Sequence, residues 1–214
     1  MKKNNIKITE ESIIKVNEII SKMDGKTFHN HYHIIYDICS SIDYEDITYL
    51  EIGAFAGGSA ALMSSHPKVK KVVSIDLGEP INKSIPISNV LKFKHNDCVY
   101  EYIQGDSTDK ETINNLKNIT SDVDILFIDG NHSYNWVIQD FHNYVGFVKN
   151  NGYIIFDDYQ DSQYSPEVKL AVNDLIKTLG NEKFEILGSL EYDLISKTNI
   201  PELSSSNEFI LRKL

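Results

Sequence analysis

Cysteine and positive charge are both scarce in this chain, and each shortage removes a class of protein. Two cysteines, Cys39 and Cys98, stand far apart among 214 residues. A small secreted domain stapled by disulfides needs more, so both read as reduced thiols and the expected location is cytoplasmic. Lys and Arg number 21 against 31 Asp and Glu, a formal net charge of −10. Surfaces for nucleic acid or anionic membrane need the opposite balance. The tightest basic group, Lys68, Lys70 and Lys71, precedes an apolar run and reads as a solvated loop. No run approaches the roughly 20 apolar residues of a membrane span. The opening MKKNNIKITEES has charge without the apolar stretch of a signal peptide. Internal repeats and low-complexity linkers are missing too. So are two phosphate-binding fingerprints: G-x-x-x-x-G-K-[ST] for nucleoside triphosphates and G-x-G-x-x-G for dinucleotides.

What remains is a chain with 41% hydrophobic residues, enough for a real core, and a length that suits one domain. Helical spacing of Ile13, Val16, Ile20 and Met23 predicts a helix over 10–24, with Thr9 as its N-cap and Gly25 at its end. A second helix is expected over 29–42. His29, His31 and His33 open it, but alternate spacing does not gather three imidazoles on a helix. They read as surface or substrate-edge residues. These two helices, 1–46, form an N-terminal cap expected over the ligand-binding rim, and 47–214 form the main domain.

From residue 47 the pattern is βα repeated. Strands are predicted at 47–52, 71–76, 100–104, 123–128 and 153–156. Helices are predicted near 57–65, 109–118 and 134–149. Residues 78–98 read as a loop with a short helix. Ser165-Pro166-Glu167 opens a further helix that Gly180 ends. Two closing strands, 183–190 and 207–213, bracket a polar link at 196–206. Near-continuous apolar strands mean a mostly parallel sheet buried on both faces, an α/β class, with the closing strands antiparallel.

The chemistry gathers at the strand ends. Glu51-Ile52-Gly53-Ala54-Phe55-Ala56-Gly57-Gly58-Ser59 carries a strand through a glycine turn into a helix, the arrangement of a nucleotide crevice. Four later strands end in Asp76, Asp106-Ser107 (after Gly105), Asp129 and Asp157-Asp158. Ligands of open α/β sheets bind outside these carboxyl ends, so the acids converge on one rim. At the end of the second strand, Asp76 stands where an acid accepts from ribose hydroxyls. Phe55 fills the place where a dinucleotide fold needs glycine beside the pyrophosphate. A nicotinamide enzyme is therefore the third choice, behind a ligand without pyrophosphate.

Glu51-Ile52-Gly53-x-x-x-Gly57 resembles the E/D-x-G-x-x-x-G motif of class I S-adenosylmethionine-dependent methyltransferases, with Asp76 matching the ribose acid and Asp106 the adenine-side acid. The resemblance covers 47–213. It implies a Rossmann-like, seven-stranded sheet with a reversed last strand. It also implies cofactor contacts from Glu51, Gly53, Ala54, Phe55, Gly57, Ser59, Asp76, Asp106, Ser107 and Asp129. Phe127-Ile128-Asp129-Gly130-Asn131-His132-Ser133-Tyr134 and Phe156-Asp157-Asp158 are similar to the metal-dependent macrocin and mycinamicin group of sugar O-methyltransferases. That likeness implies Asp129, Asp157 and Asp158 as Mg²⁺ ligands, with His132 and Asp129 catalytic and His132 the base. Three carboxylates also suit a hard cation on general grounds, and an imidazole titrates near neutrality.

The function so implied is methyl transfer to a hydroxyl of a small molecule. A sugar, nucleotide-sugar or glycan is the preferred acceptor. The catechol-type enzymes, which carry Asn where Asp158 stands, give a phenol as the second. The N/D-P-P-Y/F motif of enzymes methylating nucleic-acid amines is replaced here by Asp129-Gly130-Asn131-His132, so no nucleic-acid partner is expected. A homo-oligomer is compatible with this sequence, as is a non-catalytic binding protein on the same fold.

Overall fold

The computed structural model of the chain describes residues 6, 9–25, 32–180, 182–189 and 208–214. Seven strands form one sheet: β1 (Ile47–Ile52), β2 (Val69–Asp76), β3 (Val99–Gln104), β4 (Val123–Ile128), β5 (Val148–Phe156), β6 (Phe184–Gly188) and β7 (Phe209–Lys213). Their spatial order is β3-β2-β1-β4-β5-β7-β6. β1 to β5 pair in parallel, and β7 runs antiparallel to both β5 and β6. This is the expected mostly parallel sheet with a reversed last strand. The reversed strand is interior, inserted between β5 and β6.

Alternation along each strand supplies two apolar layers. Ile47, Tyr49, Ile125 and Phe127 face one side, under α1 (Glu10–Lys22), α2 (His33–Ser41), α3 (Gly58–Ser64) and α4 (Ser84–Phe93). Leu50, Ile52, Leu126 and Ile128 face the other, under α5 (Lys110–Ile119), α6 (Tyr134–Tyr144) and α7 (Pro166–Thr178). Burial on both sides is why these strands read as continuous apolar runs.

The N-terminal helices share the first layer with the sheet. Asp37 of α2 accepts from Thr9 N, Thr9 Oγ1 and Ser12 Oγ, at 3.1, 2.9 and 2.7 Å, which clamps the capped start of α1. At the other end of α1, Asn89 of α4 ties Asp24 to the glycine turn: its Oδ1 accepts from Asp24 N and its Nδ2 donates to Ala56 O. Of the two helices, it is the segment after α1 that bonds to the turn. His33 is buried on α2; His29, His31 and the 196–206 link lie outside the described residues.

One predicted helix is shorter than its pattern. The helical spacing runs from Val137 to Val148, but α6 stops at Tyr144, a 3₁₀ turn follows at Val145–Phe147, and β5 begins at Val148. Tertiary pairing overrides the pattern here: Val148 pairs with Val123 of β4, and Lys149 is drawn to Asp124.

The strand order reverses between β1 and β4, and there the crevice opens. Its rim is held level by bonds just past the strand ends. Gly105 N donates to Asp76 O at 2.9 Å, Gly53 N to Ile75 O at 2.8 Å, Asp129 N to Ile52 O at 2.8 Å and Asp157 N to Ile128 O at 3.0 Å. Among the described residues no helix is long and apolar enough to cross a membrane.

The far end of the sheet is fastened by Asp124. This fully buried carboxylate accepts from Lys149 Nζ at 2.7 and 2.9 Å, Tyr44 Oη at 2.5 Å and Thr48 N at 2.8 Å. It joins β4, β5, β1 and the segment after α2. Asp124→Asn is expected to cost about 2–4 kcal/mol, because Lys149 loses its counter-charge and the three donors share a weaker acceptor. Urea melts should show a lower midpoint with an unchanged slope, and ligand affinity at the opposite rim should be unaltered.

Candidate active site

The turn after β1 is shaped by close approach. Gly53 has φ +90°, and a Cβ there would lie 2.0 Å from the Asp129 carbonyl oxygen, so no side chain fits. Gly57 has φ +81°, with Pro86 Cα of α4 2.9 Å from where its Cβ would be. Phe55 adopts φ +45° without being glycine and is itself 41% exposed. Such a backbone persists only where its surroundings hold it. Asp76 does the holding: its Oδ2 accepts from Ala54 N at 2.8 Å and Phe55 N at 3.1 Å, and its Oδ1 from Gly78 N at 2.6 Å.

Glu51 lies beneath the turn, with no exposed surface. Its carboxylate accepts from Ser59 Oγ at 2.6 Å, Ser74 Oγ at 2.7 Å and Tyr49 Oη at 3.1 Å. It joins β1, β2 and α3, and neither it nor Ser59 reaches the crevice. Burial pushes the Glu51 carboxyl up to about 7 despite those three donors.

The crevice is a cavity of about 500 Å³ over the ends of β1 to β4. Of the residues singled out from sequence, Gly53, Phe55, Asp76, Asp106, Ser107 and Asp129 line it. Ala54 and Gly57 belong to the turn without lining the cavity. Asp106 combines two roles: its Oδ1 accepts from Thr108 N and Oγ1 at 2.8 and 2.7 Å, the local cap, while the residue still faces the cavity. Among the lining residues that sequence reasoning did not single out are Leu77, Glu79, Asn131 and Trp136. Two had a signal. Leu77 directly follows the strand-end acid and is 60% exposed, and Trp136 is the one tryptophan of the chain.

His132 follows the lining residue Asn131 in the chain and stands between two of the strand-end acids. Its Nε2 is 3.2 Å from Asp129 Oδ1. Its Nδ1 is 2.8 Å from Ser165 Oγ and 3.3 Å from Asp158 Oδ2. Ser165, the N-cap of α7, donates its own hydroxyl to Asp158 Oδ2 at 2.8 Å. That hydroxyl has one hydrogen, so toward His132 it acts as acceptor, and the network assigns a proton to Nδ1. Nε2 is then the nitrogen turned toward Asp129, which lines the cavity. Asp158 reaches this position through a left-handed φ of +54°. Burial raises the Asp129 carboxyl well above the usual carboxylate range, and the charges of Asp158, Glu51 and Glu208 add to the rise. Glu208, fully buried just before β7, is an acid that the sequence pattern did not bring to this end of the sheet.

The donor set has the chemistry of a hard divalent cation site: carboxylate oxygens, crowded and buried, whose mutual repulsion a cation relieves. Among the described residues no three His, Cys, Asp or Glu side chains are grouped to hold an ion. The His132 imidazole lies between Asp129 and Asp158 and is within reach of both.

Strand order, glycine turn and rim of acids together define the class I S-adenosylmethionine-dependent methyltransferase fold. The methyltransferase domain profile matches residues 50–159, just over half of the chain, and the chain belongs to that family. A protein of Acanthamoeba polyphaga mimivirus, the uncharacterized protein R132, is 37% identical over 92% of this chain and 93% of its own length. Solved structures with the same fold are more distant in sequence. The Bacillus cereus O-methyltransferase in complex with S-adenosylhomocysteine superposes with a TM-score of 0.61 at 16% identity, over 96% of this chain and 91% of that one. The MycE methyltransferase of the mycinamycin biosynthetic pathway, solved with Mg and S-adenosylhomocysteine, gives 0.60 at 18%, over 93% of this chain and 54% of the longer enzyme. An rRNA methylase from Streptococcus thermophilus gives 0.58 at 13%, over 88% and 99%. The fold therefore serves hydroxyl and RNA acceptors alike.

The folded chain holds the Glu51 proton up to about pH 7, whereas an unfolded chain releases it near 4.5. Between those values the folded state binds more protons, so this group lowers stability as pH rises through that window. Glu51→Gln removes the titration. The melting temperature of the variant should gain on wild type between pH 5 and pH 8; an offset equal at both pH values would show that Glu51 does not titrate there.

Proposed function

We propose that this protein is an O-methyltransferase that moves a methyl group from S-adenosylmethionine to a hydroxyl of a small molecule, a sugar or glycan in preference, with Mg²⁺ as its metal. The observation that carries the reading is the oriented imidazole: His132 Nε2 lies 3.2 Å from Asp129, and Asp129 itself lines the cavity. A base beside a donor cavity is what hydroxyl methylation requires, because the oxygen must lose its proton as it attacks the methyl carbon.

In this reading the donor lies along the rim, its ribose toward Asp76 and its adenine toward Asp106 and Ser107. Gly53 admits it because the turn has no side chain there. His132 takes the acceptor proton at Nε2, while Ser165 and Asp158 keep the ring in place from the Nδ1 side. Much of the acceleration is positioning of acceptor oxygen and methyl group. Asp129, Asp157 and Asp158 would hold the cation, which when bound supplies a Lewis acid that lowers the pKa of the acceptor hydroxyl.

The likeness in fold to the MycE enzyme, solved with Mg, S-adenosylhomocysteine and Mycinamycin VI, supports a metal-assisted transfer to a small molecule. A phenol is the second reading, drawn from the similar layout of the catechol-type enzymes. The Asp157-Asp158 pair leans toward the sugar enzymes. An RNA acceptor fits poorly with a net charge of −10.

Calorimetry with S-adenosylhomocysteine tests the donor, and a panel of nucleotide-sugars, glycosides and catechols tests the acceptor with and without Mg²⁺. His132→Ala is expected to lower kcat by about 10²–10⁴ while leaving S-adenosylhomocysteine affinity intact; full turnover at neutral pH would remove the base. EDTA and Asp157→Ala should each abolish transfer, and activity that survives both sinks the metal.

A further inference from the structure

Behind the cavity wall stands a buried carboxylate for which the proposed reaction has no use. Asp140, on α6, is 1% exposed. Its Oδ1 accepts the Ser107 hydroxyl at 2.6 Å. Its Oδ2 is buried with no hydrogen-bond partner and lies 3.3 Å from where a Gly130 side chain would begin. One side chain thus backs two residues of the cavity lining, Ser107 and Gly130. α6 holds Ser107 elsewhere too, since its carbonyl accepts from Tyr144 Oη at 2.7 Å and Asn143 Nδ2 at 3.4 Å. A half-bonded carboxylate in such a place is costly to keep, and burial pushes it up to about 6. A structural fastening of Ser107 needs no charge, because the two carbonyl bonds already supply one.

The charge changes what Ser107 can offer. A hydroxyl has one hydrogen, and here it is committed to a carboxylate in a short, charge-assisted bond. Toward a ligand the Ser107 oxygen then presents lone pairs only. Beside it Asp106, when ionised, is also acceptor-only. We propose that Asp140 is a positioning residue that makes Ser107 a one-way acceptor, so that this end of the cavity selects a purine carrying a 6-amino group over one carrying a 6-oxo group. An amino group donates into the pair of acceptors, whereas an oxo group sets lone pair against lone pair. This rests on the reading above that the donor's adenine lies at the end of β3.

The test is calorimetry at pH 8, where Asp140 is ionised, with two probes: S-adenosylhomocysteine and its 6-oxo counterpart S-inosylhomocysteine. Wild type should prefer the amino form by about tenfold or more. In Asp140→Ala the Ser107 hydroxyl can rotate and donate, and the preference should shrink to within about threefold, chiefly by tighter binding of the 6-oxo probe. In Ser107→Ala it should shrink through weaker binding of the amino probe. Damage to the fold alone would weaken both probes together and leave their ratio in place. A ratio unchanged in both variants, with binding intact, overturns the proposal. If Asp140→Ala does not fold, Ser107→Ala decides by itself, since it removes a single oxygen. Failure of wild type to bind S-adenosylhomocysteine at all would overturn the donor reading beneath it, a result distinct from an unchanged ratio.

Discussion

The contact between Gly53 and the backbone of Asp129 constrains everything built around it. β1 and β4 are neighbours, and their chains must part at the rim for a crevice to open between them. They part only after passing so close that a Cβ at Gly53 would overlap the Asp129 carbonyl oxygen. The close pass does two things at once. It lets the chain turn back through Ala54 and Phe55 toward α3, and it fixes where the next strand delivers Asp129. The course of the glycine turn and the position of Asp129 are therefore set by one backbone contact.

The second constraint is charge. Five strand ends carry acids, and like charges on one rim repel. The fold answers each in a different way. Glu51 is moved below the floor and supplied with three hydroxyl donors. Asp76 is spent largely on backbone N–H groups of the turn it shapes. Asp106 caps its own helix. Asp158 is matched to Ser165 and His132. Asp129 is left the most crowded, and it is also the acid placed between cavity and imidazole. The rim thus sorts its carboxylates into those that build the backbone around them and those gathered at the imidazole.

Much of this was legible in the sequence. Glycine, strand-end acid and apolar run are local signals, so β1 and β4 begin and end where the pattern puts them, and Asp76, Asp106, Asp129 and His132 stand at one rim because parallel strands deliver their carboxyl ends together. What was not legible depends on contacts distant in sequence. Glu51 carries the family motif, yet only the serines of β2 and α3 reveal that it is a buried prop. Val148 keeps a helical period until its pairing with Val123 is known. Asp140 shows nothing in sequence, since its significance comes from a hydroxyl 33 residues earlier. His132 was placed correctly beside the acids, but its wedging between Asp129 and Asp158 needed α7 to bring Ser165 across.

The inserted strand gives the sheet an order of assembly. β6 precedes β7 in the chain but reaches the sheet only through it, because β7 lies between β6 and β5. During synthesis β1 to β5 and their helices can pair as they emerge, while β6 has nowhere to dock until residues 209–213 are made. A product that stops short of them is not trimmed at an edge: it is missing two strands, and the flank of β5 behind Asp157 stays open as an unpaired edge. Synthesis of residues 209–213 is in this sense a structural checkpoint for the acidic end of the rim.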